Sequence, residues 1–378
     1  MVVGGGLLGV SAAYHLAVAG MRPVLVEAGV PAAGASGRSA GMLVPGAAVP
    51  YPYVTSLLGH DAARDLYQRT VENVALVRDL ADEERIECAL TLNGILTLGI
   101  GDGQCAAGRV LAEVLALDGF EVRVVERDDL AEFVRTPTAD HVGGGLFQAD
   151  GGSVDPARLV AGLADAARRH GAQLVTGTAV RLIDGRGGRI ELDTSAGPVS
   201  SASAVVALNA WTPALIPELL GLITPARAQM LAYEPVEPVF HVPTTAALTE
   251  HGEYWRQTPG GEIRVGGRRD LDHDFATRDQ IPTEEVQRGV EQVLPALFPQ
   301  LRLPAVRARW AGAMAMTPDG LPVAGRVPGV PGAWFAAGCN GHGLALAASL
   351  GRSLAEAVAT GRTPTELEPF SVARPSLG

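Results

Sequence analysis

The sequence predicts an α/β fold: a parallel sheet covered by helices, joined to a second domain built on a mixed or antiparallel sheet. Residues 2–20 run from a β-branched pair through a glycine cluster into an apolar helix, and the uniformly apolar run Ala204–Leu208 is typical of a parallel strand covered on both faces. Short strand patterns around a Gly260-Gly261 turn indicate the second sheet. We expect the first domain to comprise residues 1–85, 143–215 and 308–378, and the second residues 86–142 and 216–307.

The glycine cluster near the start of the chain fits the pattern G-x-G-x-x-G with Gly4, Gly6 and Gly9. Gly4 permits a tight strand-to-helix turn, Gly6 lets a pyrophosphate approach the backbone, and Gly9 lets the helix pack close to the strand. Glu27 ends the next apolar run, where it would accept hydrogen bonds from a ribose. The unit therefore predicts dinucleotide binding, with FAD and NAD both open and a structural turn as the alternative. Only two strand residues precede Gly4, fewer than the roughly five usual for such a strand, so we expect a few N-terminal residues to be missing.

Composition excludes several classes of function. The net charge of −11 over 378 residues argues against nucleic acid or an anionic membrane as partner. No apolar run of membrane-spanning length occurs. The three cysteines lack the spacing of a metal site, so we expect no metal, and they suit the cytoplasm. All 30 basic residues are arginine, which rules out every lysine-based mechanism.

Several local patterns predict further elements. The dipeptide Asn93-Gly94 predicts a hairpin within Thr91–Ile100, and Arg309–Gly325 predicts a strand, a turn and a strand. A glycine loop at Gly338–Gly343 lies between an apolar strand and a helix, where free N–H groups suit an electron-rich cofactor atom; the alternative is a glycine-rich helix cap. Apolar spacing near the helical period predicts helices at His60–Arg85, Arg109–Leu117, Pro156–His170, Thr283–Leu294 and Leu344–Thr360.

Together these motifs resemble the FAD-dependent amine and amino-acid oxidoreductases of the D-amino-acid oxidase and sarcosine oxidase type, which include the glycine oxidases. The segment Met316–Pro322 is most similar to sarcosine oxidase β subunits and secondary-amine dehydrogenases. The resemblance implies a glutathione-reductase-like, Rossmann-type domain that binds extended FAD, and a substrate domain that roofs the flavin. The segments that carry it are Gly4–Gly9, Glu27, Gly34–Met42, Val205–Trp211, Trp310–Gly325 and Gly338–Gly351.

The resemblance also implies which residues meet the cofactor. The three motif glycines would face the pyrophosphate and Glu27 the ribose; Val180 would lie at the adenine end, and Gly338–Gly343 would run along the flavin. The full expected set is Gly4, Gly6, Leu7, Leu8, Gly9, Glu27, Ala28, Ser36, Arg38, Ser39, Ala40, Gly41, Met42, Val180, Asn209, Trp211, Gly312, Gly338, Asn340, Gly341, His342, Gly343 and Leu344.

Departures from the family pattern shape the functional expectation. Glycine oxidase-like members hold the substrate carboxylate with arginines where this chain has Met314 and Gly341, and sarcosine oxidases carry a lysine where it has Ala345. The oxygen-activating lysine is absent, and the flavin-linking cysteine has no match at residues 314–317. We therefore expect non-covalent FAD, favour a dehydrogenase over an efficient oxidase, and expect a substrate that is larger or clamped elsewhere.

Five side chains are candidates for the active site. His342 matches a histidine near the flavin in sarcosine oxidases, and its alternative is a structural hydrogen bond. Tyr254 and Arg256 lie on a predicted roof strand, with surface placement as the alternative, and Arg268 follows a Val-Gly-Gly turn. Met314 would pack beside the flavin ring or in the core.

The leading interpretation is hydride transfer from the CH–NH group of an amino acid or secondary amine to FAD, which yields an imine. The electron acceptor is oxygen or a carrier. Alternatives are a 2-hydroxy-acid dehydrogenase, a flavin monooxygenase, or an FAD-binding subunit of a larger complex. A monooxygenase would need a second nucleotide site, and no second G-x-G-x-x-G follows a strand. A partner subunit or a homo-oligomer remains open.

Overall fold

The computed structural model describes residues 1–246 and 252–377. No helix in these two ranges is both long and apolar enough to cross a membrane. Their α-helices are α1 Leu7–Val18, α2 Ala35–Arg38, α3 Tyr51–Leu58, α4 His60–Glu83, α5 Gly101–Leu117, α6 Pro156–Arg169, α7 Thr212–Leu215, α8 Glu284–Glu291, α9 Val293–Leu297 and α10 Ala347–Thr360.

The strands in these two ranges form four sheets. In chain order they are β1 Val2–Val3, β2 Val24–Val26, β3 Met42–Leu43, β4 Ile95–Ile100, β5 Val122–Glu126, β6 Val142–Gln148, β7 Gly152–Ser153, β8 Gln173–Val175, β9 Val180–Arg186, β10 Arg189–Thr194, β11 Gly197–Ser201, β12 Ala204–Val206, β13 Thr224–Tyr233, β14 Thr244–Ala246, β15 Tyr254–Gln257, β16 Ile263–Gly266, β17 Val306–Met316, β18 Val323–Arg326 and β19 Ala333–Ala337.

A six-stranded sheet carries the N-terminal β-α-β unit. Its order is β18-β19-β12-β1-β2-β8, and all neighbours are parallel except β18 and β19. Val2 lies between Leu25 and Val205 in register, and all three side chains are fully buried. The helices α1 and α10 pack on each other against this sheet, and every residue of β12 is buried. The predicted parallel α/β sheet is therefore confirmed.

An eight-stranded sheet forms the second layer, in the order β17-β13-β16-β15-β14-β4-β6-β5. Its neighbours are antiparallel except β14 and β4, so the expected mixed or antiparallel sheet is also present. The division into two domains stays a prediction. Strands β6 and β17 both belong to this sheet, β6 next to β4 and β5, and β17 next to β13. The predicted boundaries at residues 143 and 308 put most of each strand in the first domain instead.

One local prediction was wrong. The dipeptide Asn93-Gly94 does not join two strands of a hairpin: β4 begins at Ile95 and pairs with β6, because that pairing buries its apolar side chains. The strand, turn and strand predicted for Arg309–Gly325 are confirmed as β17, a turn and β18. Strand β17 belongs to the eight-stranded sheet and β18 to the six-stranded sheet, so the turn between them connects the two layers.

Candidate functional site

A single continuous cavity of about 1160 Å³ connects the two layers. One end lies at the β1–α1 glycine turn and the residues after β2, and the other reaches β13, β15 and β17 of the eight-stranded sheet. Because the carboxyl ends of parallel strands open onto the first end, this is the position where α/β sheets bind ligands.

The turn between β1 and α1 leaves no room for side chains. Gly4 has φ +111°, and a Cβ on it would lie 2.4 Å from the carbonyl oxygen of Ala207. A Cβ on Gly9 would lie 2.0 Å from the carbonyl oxygen of Gly4. Gly9 does not line the cavity. It is therefore a packing residue and not, as the resemblance implied, one that faces the pyrophosphate.

Glu27 follows β2 and turns its carboxylate toward the glycine turn. Its Oε2 accepts a hydrogen bond from the N–H of Gly5 at 2.7 Å, and its Oε1 accepts one from the N–H of Gly29 at 2.8 Å. The two bonds fix the carboxylate at the mouth of the turn, half-buried and lining the cavity. A ribose hydroxyl placed there would meet a preset acceptor.

The loop that follows supplies the next wall of the cavity. Ser36 Oγ accepts the N–H of Leu7 at 3.0 Å, and a Cβ on Gly6 would lie 3.1 Å from that Oγ. Arg38 donates to the carbonyl of Ala311 at 3.0 Å and its own carbonyl accepts Trp310 Nε1 at 2.8 Å. The loop is thereby tied to β17, which places a polar rim along the cavity between the two sheets.

These observations test whether the residues fit an extended FAD. Backbone N–H groups at a helix N-terminus, glycines without Cβ and an acidic acceptor after β2 form a cradle for a pyrophosphate and its ribose. The same cavity of about 1160 Å³ also reaches the second glycine loop, where the flavin would lie. The donor set and the shape therefore fit the group.

The second glycine loop forms the far end. Asn209 Oδ1 accepts the N–H of Gly338 at 3.1 Å, and Asn340 Oδ1 accepts the N–H of Thr317 at 2.8 Å. Gly338 itself does not line the cavity, because its α-carbon faces Thr317: a Cβ there would lie 2.5 Å from Thr317 Cγ2. It holds the loop rather than contacting the cavity.

The side chains of His342 and Tyr254 both face the cavity at this end. Burial, with the positive charge of Arg269, lowers the pKa of His342 to about 4, so its imidazole is neutral near pH 7. Burial raises the pKa of Tyr254, whose phenol stays protonated. Gly266 makes room for that ring, because a Cβ there would lie 2.4 Å from Tyr254 Cζ.

The structure separates the other catalytic candidates. Met314 lines the cavity, and its Sδ lies 3.2 Å from the position of a Cβ on Gly341. Arg256 does not: it is 1% exposed, and its Nε donates to the carbonyl of Ala40 beneath the loop. Arg268 also points away, because its guanidinium pairs with Asp270 at 3.2 Å.

Every other residue of the expected set lines the cavity. These residues are Gly4, Gly6, Leu7, Leu8, Glu27, Ala28, Ser36, Arg38, Ser39, Ala40, Gly41, Met42, Val180, Asn209, Trp211, Gly312, Asn340, Gly341, His342, Gly343 and Leu344. That they bind FAD stays a prediction.

Sequence reasoning missed two parts of the cavity. Arg269, one residue beyond the candidate Arg268, lines it. The Val-Gly-Gly pattern predicts the turn after β16, but it does not predict which of the two arginine side chains enters the cavity. The cavity also extends between α5 and the eight-stranded sheet, where most of the lining is apolar. The glycine run Gly143–Gly145 is the only sequence signal of this gap, since glycines leave a sheet surface without side chains. The apolar lining there is Leu98, Leu111, Leu115, Val124 and Leu146.

The fold and the cavity together define a class of protein: an enzyme that holds an extended dinucleotide along one sheet and covers its far end with a second sheet. The family model described as FAD dependent oxidoreductase (DAO) matches residues 1–357. The chain belongs to this family, and its cofactor is FAD.

Curated relatives match nearly the whole chain. Gamma-glutamylputrescine oxidoreductase of Escherichia coli (strain K12) is 28% identical over 362 residues, which cover 94% of this chain and 82% of that protein. Glycine oxidase of Bacillus licheniformis is 27% identical over 382 residues, covering 99% and 96%. Among solved structures, glycine oxidase from Geobacillus kaustophilus has a TM-score of 0.85 at 24% identity, covering 99% of this chain and 97% of that one; this likeness shows the fold.

Proposed function

We propose that this enzyme oxidises the CH–NH group of an amino acid or secondary amine to an imine. The observation that carries the proposal is the far end of the cavity, where His342, Tyr254 and Met314 line the same space at the end where we expect the flavin. The relatives named above, which include a glycine oxidase and a putrescine-derivative oxidoreductase, support an amine substrate.

Bound FAD would supply the hydride acceptor. The protein's own residues would orient the amine and exclude water. The neutral imidazole at His342 offers one nitrogen that can accept a hydrogen bond from the amine N–H, and the protonated Tyr254 offers a hydrogen-bond donor, so that the two side chains would orient the amine. Met314 and the neighbouring small residues would keep the reacting carbon in apolar surroundings.

Two further features of the proposal concern the electron acceptor and the attachment of FAD. The chain has no lysine to activate oxygen, so we propose a dehydrogenase that passes electrons to another acceptor. We also propose non-covalent FAD, because burial raises the pKa of Cys339, the cysteine in the second glycine loop, to about 11, and a protonated thiol is a poor nucleophile.

Anaerobic bleaching of the purified flavoprotein tests the reaction. Glycine, sarcosine, proline, several D-amino acids, 2-hydroxy acids and NADPH would each be added alone while the flavin absorbance is followed. We expect bleaching by an amine and not by NADPH, and slow recolouring when air is admitted. Bleaching by NADPH alone would point to a monooxygenase and overturn the proposal, and bleaching by hydroxy acids alone would favour their dehydrogenase.

A further inference from the structure

We propose that Arg269 binds the carboxylate of the substrate and so replaces, from the loop after β16, the arginine clamp that β17 lacks. This inference rests on the proposed function, because it assigns the substrate class of the same site: an amine that also carries a carboxylate.

The placement of Arg269 follows from one face of β17. Gly312, Met314 and Met316 alternate along the strand and therefore point to the same side. A Cβ on Gly312 would lie 3.3 Å from Arg38, and the Sδ of Met314 lies next to Gly341. At Met316, the next step along this face, Arg269 Nη1 approaches Sδ at 4.0 Å. This row of residues on β17 thus runs from the 34–42 loop, past the second glycine loop, to the guanidinium of Arg269.

Arg269 has no carboxylate partner among the residues that the structure describes. Its neighbours are paired: Arg268 with Asp270 at 3.2 Å, Arg264 with Glu262 at 2.6 Å, and Arg227 with Asp272 at 2.7 Å. Within residues 1–246 and 252–377, no carboxylate oxygen lies within 4.0 Å of the Arg269 guanidinium. A half-buried arginine that lines a cavity and has no counter-ion in the described part of the chain is suited to a carboxylate, which its planar fork binds with two hydrogen bonds.

The loop that carries Arg269 is anchored on its far side. Asp272 accepts two hydrogen bonds from Arg227, at 2.8 and 2.7 Å, and one from Gln229 at 3.2 Å. Arg227, Gln229 and Asp272 are all buried. Because this network holds the loop three residues beyond Arg269, it fixes the backbone from which the Arg269 side chain enters the cavity.

The electrostatic surroundings agree with this position. After burial, the positive charge of Arg269 is the second cause that lowers the pKa of His342, and it also lowers that of Tyr254 against the larger effect of burial. Arg269 therefore lies close enough to influence both side chains that we assign to the amine end. A carboxylate bound at Arg269 would bring the adjacent amine-bearing carbon toward His342, as an α-amino acid requires.

The first experiment measures binding without turnover. The FAD-loaded wild type, Arg269→Met and Arg288→Met would be titrated with benzoate and with benzamide while the flavin spectrum is recorded. Arg288 is an exposed residue of α8 that supplies the same change of charge away from the cavity. We expect benzoate to bind roughly 10- to 100-fold more weakly to Arg269→Met, as for loss of a charge-assisted hydrogen-bonded pair, and equally to wild type and Arg288→Met. Equal benzoate binding by all three proteins, or benzamide binding that falls as much as that of benzoate, would overturn the inference.

The second experiment separates this inference from the proposed function. The same proteins would be bleached with proline or pyrrolidine, and with sarcosine or dimethylamine, pairs that differ in the carboxylate. We expect Arg269→Met to raise the KM for proline and sarcosine. The preference of the enzyme for these acids over the plain amines should then largely disappear. If the wild type prefers the plain amines, amine oxidation stands and the role of Arg269 falls. If no amine bleaches any protein, the proposed function falls, and the benzoate titration still decides whether Arg269 is an anion site.

Discussion

Glu27 and His342 lie at opposite ends of one cavity and differ in charge. Two backbone N–H groups hold the Glu27 carboxylate at 2.7 and 2.8 Å, so its negative charge is solvated by the protein itself. His342 is held neutral by burial and by the positive charge of Arg269. An acceptor is thus fixed where a ribose would bind, and an uncharged imidazole where an amine would react.

The lowered pKa of His342 predicts how stability depends on pH. The unfolded chain protonates histidine near pH 6.5, whereas the folded protein resists protonation until about pH 4. The unfolded state therefore binds more protons in this window, and the stability present above pH 6.5 is lost as the pH falls toward 4. Between pH 7 and pH 5, we expect the free energy of unfolding to fall by on the order of 1–2 kcal/mol less in His342→Gln than in the wild type. Urea unfolding at each pH measures this difference.

His15 is the matched control for this prediction. Burial, with the charge of Arg352, also lowers its pKa to about 4, but it lies in α1 away from the cavity. We expect His15→Gln to reduce the acid sensitivity in the same way and leave amine-driven bleaching intact, whereas His342→Gln should impair bleaching. An unchanged pH dependence of stability in His342→Gln would show that its imidazole is not held neutral.

At this scale the sequence predicted the lining of the glycine-turn end of the cavity better than that of its far end; that the lining residues bind FAD stays a prediction. The positions of Gly4, Gly6 and Glu27 could be predicted because backbone geometry and chain spacing fix them. Arg268 and Arg269 could not be told apart, because Arg268 adopts φ +56° and the turn decides which guanidinium enters the cavity. The prediction that Arg256 reaches the active site was wrong for a similar reason. Arg256 is on the predicted strand, but its side chain packs under the loop at Ala40.

The junction of β1 with α1 depends on close backbone contact, which predicts a sharp difference between two glycines. A Cβ on Gly9 would lie 2.0 Å from the Gly4 carbonyl oxygen and 3.2 Å from Ala207 Cβ, whereas a Cβ on Gly34 would meet nothing within 4 Å. We expect Gly9→Ala to destabilise the protein by about 1–3 kcal/mol, since overpacking moves α1 off β1, and to weaken FAD binding. Gly34→Ala should stay within about 0.5 kcal/mol of the wild type.

Urea unfolding and FAD titration of the apoprotein measure both effects. If Gly9→Ala and Gly34→Ala were equally stable and bound FAD equally, the close contact between α1 and β1 would not be what requires glycine at position 9. A loss of FAD affinity in Gly34→Ala alone would instead place the requirement in the loop before α2.

Helices could be predicted where the apolar spacing within one segment is enough to indicate the helix. Helices α4 and α6 follow their apolar spacing within two residues of the expected ends. Pairing was not predictable from local signals, because partners are chosen by burial across the whole chain. Asn93-Gly94 carries a hairpin signal, yet the strand after it pairs with β6, and β17 and β18 are consecutive but lie in different sheets.

At the scale of the molecule, the site exists only because distant segments meet. The cavity is lined by the first glycine turn, the 34–42 loop, strands β13, β15 and β17 and the second glycine loop. Hydrogen bonds between Arg38 and β17 join the cofactor loop to the eight-stranded sheet, across more than 270 positions of sequence. A ligand that spans the cavity would therefore bind several segments together and stabilise the fold as a whole.

This arrangement predicts that both halves of FAD contribute to stability and do so at separate ends. We expect FAD at about 100 times its Kd to stabilise the apoprotein by about 2.7 kcal/mol, seen as a rise in Tm, and FMN or ADP at the same concentration to raise it less. Glu27→Gln, compared with its own apoprotein, should reduce the shifts caused by FAD and ADP and spare the shift caused by FMN, because only the first two carry the ribose that faces Glu27. A Tm shift from FMN equal to that from FAD, or an FMN shift that falls in Glu27→Gln, would mean that the β1–α1 turn and Glu27 do not hold the adenosine end.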